Sequence, residues 1–183
     1  MPAPLRLYVL LLCCLSPVLA VGLPQSSAFM PDLRGLTRQS GYIFAGTVMS
    51  VERVAPKSAN SVAVMRVTFR VDQAIRGVRA GQLFAIHEWT GLWESGTRYR
   101  VGEHLLLFLY PPSRLGLTSP VSGGFGRFPM DNNGRLLLDE VRSTALQRDP
   151  ALRGTIFKAP AGTRLPLRGR DLVSALRRVA EAR

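Results

Sequence analysis

Reactive chemistry has few places to reside in this chain. Its 183 residues include two histidines, His87 and His104. His87-Glu88 opens like the zinc-protease pattern HExxH, but Gly91 stands where the second histidine belongs, and the segment reads as a strand. Neighbouring strand residues point to opposite faces, so this pair does not converge on one metal. His104 opens an apolar run and reads as a satisfied histidine at the core edge. The run from Ser119 through Ser122, Gly123, Gly124 and Gly126 lacks the GxSxG elbow of a serine nucleophile. No lysine follows to make it a phosphate loop, so its glycines read as points where a strand bends. One grouping remains: Trp89, Trp93, Arg98, Tyr99 and Arg100. Tryptophan, tyrosine and arginine dominate binding hot spots, and the same side chains stack on sugars or bases. The competing reading makes Trp93 and Tyr99 a plug at one end of a barrel. The sequence thus presents no catalytic constellation, metal site or cofactor site, and one candidate partner-binding loop.

The elements that position this loop read mainly as strands. Asp32 can cap one or two helical turns up to Gln39. Tyr42 to Val54 is rich in β-branched and aromatic residues, with Gly46 inside it, where a strand bulges or bends. Met65, Val67, Phe69 and Val71 alternate with Arg66, Thr68, Arg70 and Asp72, the period-2 mark of a sheet with one dry face. Gly77 and Gly81 bracket a turn before a third strand, Leu83 to Trp89. Thr90 to Glu103 is a glycine-punctuated loop. His104 to Tyr110 is apolar at nearly every position and should be covered on both faces. Phe125 to Met130 and Arg135 to Asp139 form a hairpin about Asp131-Asn132-Asn133-Gly134, residues that tolerate positive φ. Residues 141–170 show no firm period. Asp171 can cap a last amphipathic helix, Leu172 to Ala182.

Short strands with glycine at the bends predict a β-rich α+β protein. Its centre is a small antiparallel OB-like, Greek-key barrel, with a short N-terminal and a C-terminal helix. The expected organisation is a signal peptide over 1–20, a linker over 21–31, the barrel over 32–140 and a basic extension over 141–183. The signal is read from Arg6, the apolar run Leu7 to Leu15, and Val18-Leu19-Ala20 before a cut. The run is too short to span a bilayer, which takes about 20 residues. Both cysteines, Cys13 and Cys14, fall inside it. The expected mature chain therefore has no thiol for nucleophilic, redox or metal chemistry, and no disulfide.

Lysine and arginine number 24 against 12 acidic residues, and residues 141–183 alone carry net +7. Such charge suits an anionic envelope polymer, lipid head groups or nucleic acid, or an arginine-rich solvated surface with no dedicated ligand. Nucleic acid is an unlikely partner by this reading, because no tight basic cluster is interleaved with stacking aromatics.

The order GYIFAGTV, an alternating strand ending VDQAIRG, a tryptophan loop, RVGEHLLLFLYPPS and GGFGRFPMDNNG resembles a loose group of exported bacterial proteins. Their barrel is similar to the OB-type fold of tissue inhibitors of metalloproteinases and netrin modules. The likeness spans about residues 32–139, with Gly102-Glu103 and the following strand its most specific part. It implies a fold and a compartment, secreted or periplasmic, but no activity. The animal inhibitors reach zinc through an N-terminal cysteine, whereas the expected mature start here is Val21.

The leading expectation is an exported, non-enzymatic binding module for a protein or an anionic envelope polymer, with no stable membrane insertion after signal cleavage. An inhibitor or accessory factor of a secreted protease is the alternative, and a hydrolase the second alternative.

Overall fold

In the computed structural model, residues 31–56, 61–94, 98–152 and 168–181 are described. The expected signal, and all but the last residue of the expected linker, lie outside them. Helix α1 (Leu33–Gln39) starts where the side chain of Asp32 accepts a hydrogen bond from the Gly35 N–H at 2.7 Å. Three long strands follow: β1 (Tyr42–Val54), β2 (Val64–Arg76) and β3 (Leu83–Trp89). A five-residue helix, α2 (Thr90–Glu94), comes next, then β4 (His104–Leu109). A 3-10 turn over Gly123–Gly126 leads into β5 (Arg127–Met130), and helices α3 (Glu140–Arg148) and α4 (Gly169–Glu181) complete the described order.

The strands form one antiparallel sheet in the order β3-β2-β1-β4-β5. With four helices packed around it, this is a sheet-rich α+β fold. The sheet is not closed, so of the expected closed or half-closed barrel it shows a five-stranded antiparallel sheet without closure. β3 and β5 end it, and among the described residues one backbone bond, Thr118 N–H to His87 C=O at 2.9 Å, links β3 to the segment after β4. β5 has only four residues, too few to run alongside β3. Curvature comes instead from β1, whose pairing with β2 slips beside Gly46. A Cβ at Gly46 would lie 2.5 Å from the Arg70 carbonyl oxygen, so only glycine lets the strands approach there.

Curling gives the sheet two apolar layers. On the helix side, Ile43, Leu106, Phe108 and Phe128 pack against Leu33 and Leu36 of α1 and Leu172 and Leu176 of α4. Leu146 of α3 and Leu152 join the same layer, so the basic segment after Glu140 helps to build this core. On the inner side, Phe44, Val67, Phe69, Val71 and Ile86 face Leu105, Leu107 and Leu109. Phe44 meets Phe69 and Phe84 edge-on, with centroids 5.4 and 5.6 Å apart. The register of β2 is the expected one. Val67, Phe69 and Val71 are buried, Met65 is half-buried, and Arg66 and Arg70 are exposed. β4 lies between both layers, and Leu105 to Leu109 are fully buried.

The structure adds one element and corrects one expectation. Residues 141–170 show no firm period in the sequence, and the structure adds α3 at their start. Arg135 to Asp139 does not form a full return strand: it makes isolated bridges, Met130 with Leu136 and Arg135 with Arg168. Leu137 N–H reaches the Pro129 carbonyl at 2.8 Å, but proline has no N–H to return the bond, and the ladder stops. Among the described residues no helix is long and apolar enough to cross a membrane.

Candidate functional site

Strand alternation splits the tryptophan loop into two groups. On β3, Phe84, Ile86 and Glu88 point inward, while Leu83, Ala85, His87 and Trp89 point outward. His87 and Glu88 therefore separate as the sequence implied. Trp89 is 52% exposed, and Leu83 at the other end of the strand is 69% exposed. The Trp89 indole lies so close over the backbone at Gly91 that a Cβ there would sit 2.5 Å from the ring. On β2, Arg66 stands directly opposite His87 and one step from Trp89, and it is exposed. Arg98 and Arg100 are also exposed. The Arg98 Nε–H donates to the Trp93 carbonyl at 3.1 Å, and the Arg100 backbone N–H donates to Glu103 Oε2 at 3.2 Å.

Trp93 and Tyr99 turn the other way. Tyr99 is 3% exposed, and its ring lies edge-on to Phe69 with centroids 5.5 Å apart. Trp93 is half-buried at 5.9 Å from Tyr99. Both bond to Glu88, which is 1% exposed. The Trp93 Nε1–H donates to Oε2 at 2.9 Å and the Tyr99 O–H to Oε1 at 3.1 Å. Arg127 of β5 lies over the Tyr99 ring at 4.6 Å and donates through Nη2 to Glu103 at 2.6 Å. The Arg127 Nε is buried without a partner. Burial pushes the Glu88 carboxyl above its usual range, against the lowering effects of the Trp93 and Tyr99 bonds and of the Arg127 charge. Burial, then the neighbouring Glu88, hold the Tyr99 phenol well above its ordinary value, so it remains a neutral donor.

The five residues singled out in the sequence thus do not form one patch. Trp89, Arg98 and Arg100 face solvent, and Trp93 and Tyr99 close the mouth of the inner layer. Sequence reasoning missed Glu88, Glu103 and Arg127 as members of that closure. Glu88 had a signal: it shares the parity of Phe84 and Ile86, so a strand places it inward.

The histidines lie apart from one another. His104 Nε2 is buried and sits 3.3 Å from Asp72 Oδ2, without the alignment of a hydrogen bond. Asp72 also accepts from Thr47 Oγ1 at 3.1 Å and from Arg70 Nε at 3.3 Å. Neither histidine is hydrogen-bonded to Ser119 or Ser122 among the described contacts. Ser122 caps the 3-10 turn with φ 53°, and Gly126 sits where a Cβ would lie 2.5 Å from the Val121 carbonyl oxygen. The glycines therefore serve a tight chain crossing. Among the described residues no three acidic, histidine or cysteine side chains are grouped to hold a metal ion. A cleft of about 380 Å³ between α1 and α4 is lined by Arg34, Arg178, Asp32 and Asp149. Its two carboxylates are committed to backbone N–H groups of Gly35, Leu33 and Ala151.

Compared with protein-family models, curated proteins and solved structures, the chain matches none.

Proposed function

We propose that this chain is an exported, non-enzymatic binding module that uses the outward face of β2 and β3 together with the exposed arginines of the following loop. One observation carries the reading: Trp89 is a half-exposed tryptophan set on a rigid strand beside outward Arg66 and His87. A large amphipathic ring held in place loses little conformational freedom on binding, and neighbouring arginines supply directional donors. The strand order also supports an OB-like ancestry. It has β1 between β2 and β4, with β3 and β5 at the ends, which is the connectivity of a five-stranded OB barrel left open between β3 and β5. Small folds of that kind bind on the face of strands 2 and 3. The partner class is an acidic protein surface or an anionic envelope polymer, as the +12 net charge suggests.

The test is capture from the extracellular fraction of the producing cells by the immobilised protein. The unsubstituted protein should retain a partner that Trp89→Ala and Arg98→Ala lose, while both variants melt like the parent. A partner held equally by all three proteins would place binding elsewhere. N-terminal sequencing of the protein recovered outside the cells tests export, and a chain still beginning at Met1 and fixed in the membrane would contradict it.

A further inference from the structure

We propose that the free edge of β3, at Leu83 and Ala85, takes up an extended acidic peptide segment as a further strand of the sheet. The two ends of the sheet are treated differently. β5 has four residues, one of them Pro129, and its outer side is already used: Leu137 N–H bonds to the Pro129 carbonyl, and Leu136 bridges Met130. Short length, proline and a covering segment all stop a sheet edge from recruiting another chain. The first half of β3 has none of these. Its sequence, LFAIHEW, holds no proline, lysine or arginine, and its pairing with β2 runs from Leu83 to Trp89 without a bulge. The ladder also fixes which backbone groups are spare. Gln82 accepts from the Val71 N–H at 2.9 Å, and the Thr90 N–H donates to the Ala63 carbonyl at 3.1 Å, so the even-numbered residues between them bond to β2. The odd-numbered residues turn their N–H and C=O groups to the free edge. His87 shows the same parity, because its carbonyl accepts from the Thr118 N–H on that side. Before His87 that cover ends, and the backbone groups of Leu83 and Ala85 that face the edge bond to no described residue.

The chemistry around this edge selects the occupant. The outward row of β2 sets Arg70 opposite Leu83, Thr68 opposite Ala85 and Arg66 opposite His87. Arg79 lies in the turn that leads into β3, and all three arginines are exposed. Glu52 belongs to β1, beyond β2 from the edge, and Asp72 turns toward Thr47 of β1 and His104 of β4. Arg70 keeps one bond to Asp72, at 3.3 Å, and a guanidinium has further donors to offer. Leu83, 69% exposed, presents apolar surface that a neighbouring strand would cover. An added strand with acidic side chains on its outward side meets these guanidinium groups, and apolar side chains on its inward side extend the layer that holds Ile86 and Phe84. Main-chain bonds to Leu83 and Ala85 supply affinity, and the alternating side chains supply selectivity. A second copy of this chain is a poor occupant, because it brings the same arginines to the same face and each copy carries net +12. The inference deepens the proposed binding face by stating how its partner is held, and it rests on that reading for the partner's charge.

The probe is an alternating glutamate–valine octapeptide. Two controls accompany it: a lysine–valine octapeptide, and the glutamate–valine peptide with every backbone amide methylated. Amide hydrogen exchange of the full-length protein is followed by nuclear magnetic resonance as each peptide is added. The glutamate peptide should slow exchange at Leu83 and Ala85 severalfold, while Phe84 and Ile86, already bonded to β2, change little. The lysine peptide is repelled and the methylated peptide has no donors for the edge, so both should bind severalfold more weakly. Ala85→Pro should weaken the glutamate peptide in the same way. It removes an N–H that faces the edge, so the β2–β3 ladder stays whole and the melt should match the parent. The exchange data on the unsubstituted protein stand independently of that variant's folding. Unchanged exchange at Leu83 and Ala85, equal binding of either control peptide, or full binding by Ala85→Pro would each overturn the edge. Trp89→Ala separates this inference from the proposed face. Binding that needs the Ala85 donor but not Trp89 supports the edge and removes the indole from the site. Binding that needs Trp89 but not the Ala85 donor keeps the face and overturns the edge.

Discussion

The two apolar layers of the sheet treat their buried polar groups differently. On the helix side, polar side chains bond to backbone. Thr37 donates to the Leu33 carbonyl at 2.6 Å and Ser40 to the Leu36 carbonyl at 2.7 Å. Asp149, 5% exposed, accepts from the Leu33 N–H at 2.6 Å and the Ala151 N–H at 2.8 Å, tying the start of α1 to the turn before the C-terminal segment. On the inner side, Glu88 bonds only to side chains. A bond to backbone satisfies a group the chain cannot move without losing secondary structure. A bond between side chains can be exchanged for water by rotating them. The helix side is therefore tied to the backbone, and the inner layer ends at a buried carboxyl held by two side chains.

The largest expected effects lie in the apolar parts of both layers, where the comparison predicts no difference. Phe108→Ala on the helix side and Phe69→Ala on the inner side each remove a fully buried ring. Each should destabilise the protein by about 3–5 kcal/mol in a denaturant melt. If Phe69→Ala were nearly neutral, the inner layer would not be a packed core, and the mouth would have nothing to close over.

The polar groups should separate the layers. Asp149→Ala leaves one buried and one part-buried backbone donor unpaired and should be destabilising by about 1–3 kcal/mol. Trp93→Phe keeps most of the ring but removes the donor to Glu88. Trp93 is half-buried, so water can reach the place of its donor and the loss should stay near the lower end, about 1 kcal/mol. Equilibrium unfolding of the two variants side by side checks the order. A Trp93→Phe loss matching that of Asp149→Ala would mean that the mouth is as rigid as the helix seal.

How far this was legible in the sequence depends on how many residues of an element are buried. β1 and β3 begin and end where composition placed them, and β2 follows its alternation, because each sets a run of side chains against a core. α1 announced itself through Asp32. α3 was illegible for the opposite reason: Leu146 is its single fully buried side chain, and Val141 is exposed, so no period exists to be read. α4 was seen from its apolar stripe, but it starts at Gly169, with Asp171 in its first turn instead of capping it. The site was half legible. Residue types picked out Trp89 to Arg100, but only strand parity and the path of the loop decide that Tyr99 turns inward. The partnership of Glu88 with Trp93 and Tyr99 brings together side chains from β3, α2 and the segment before β4, and no local pattern encodes that meeting.

The smallest expected effect is the one on which the binding reading depends most. Trp89 and Trp93 lie four residues apart and are chemically identical, yet they stand on opposite sides of β3. Trp93 carries a hydrogen bond to a buried carboxylate and a ring contact with Tyr99. Trp89 leaves half of its surface in water and rests on Gly91. Removing a side chain that makes no buried bond should change stability by no more than about 0.5 kcal/mol, so Trp89→Ala should unfold almost with the parent. The same melt on Arg70→Ala, an outward residue of β2, provides the reference for a surface change. An exposed tryptophan that contributes nothing to the fold has an apolar surface for which stability supplies no reason. A loss of several kcal/mol in Trp89→Ala would instead make the indole a lid over the α2 turn. The outward face would then lose the one residue that distinguishes it from an ordinary wet sheet surface.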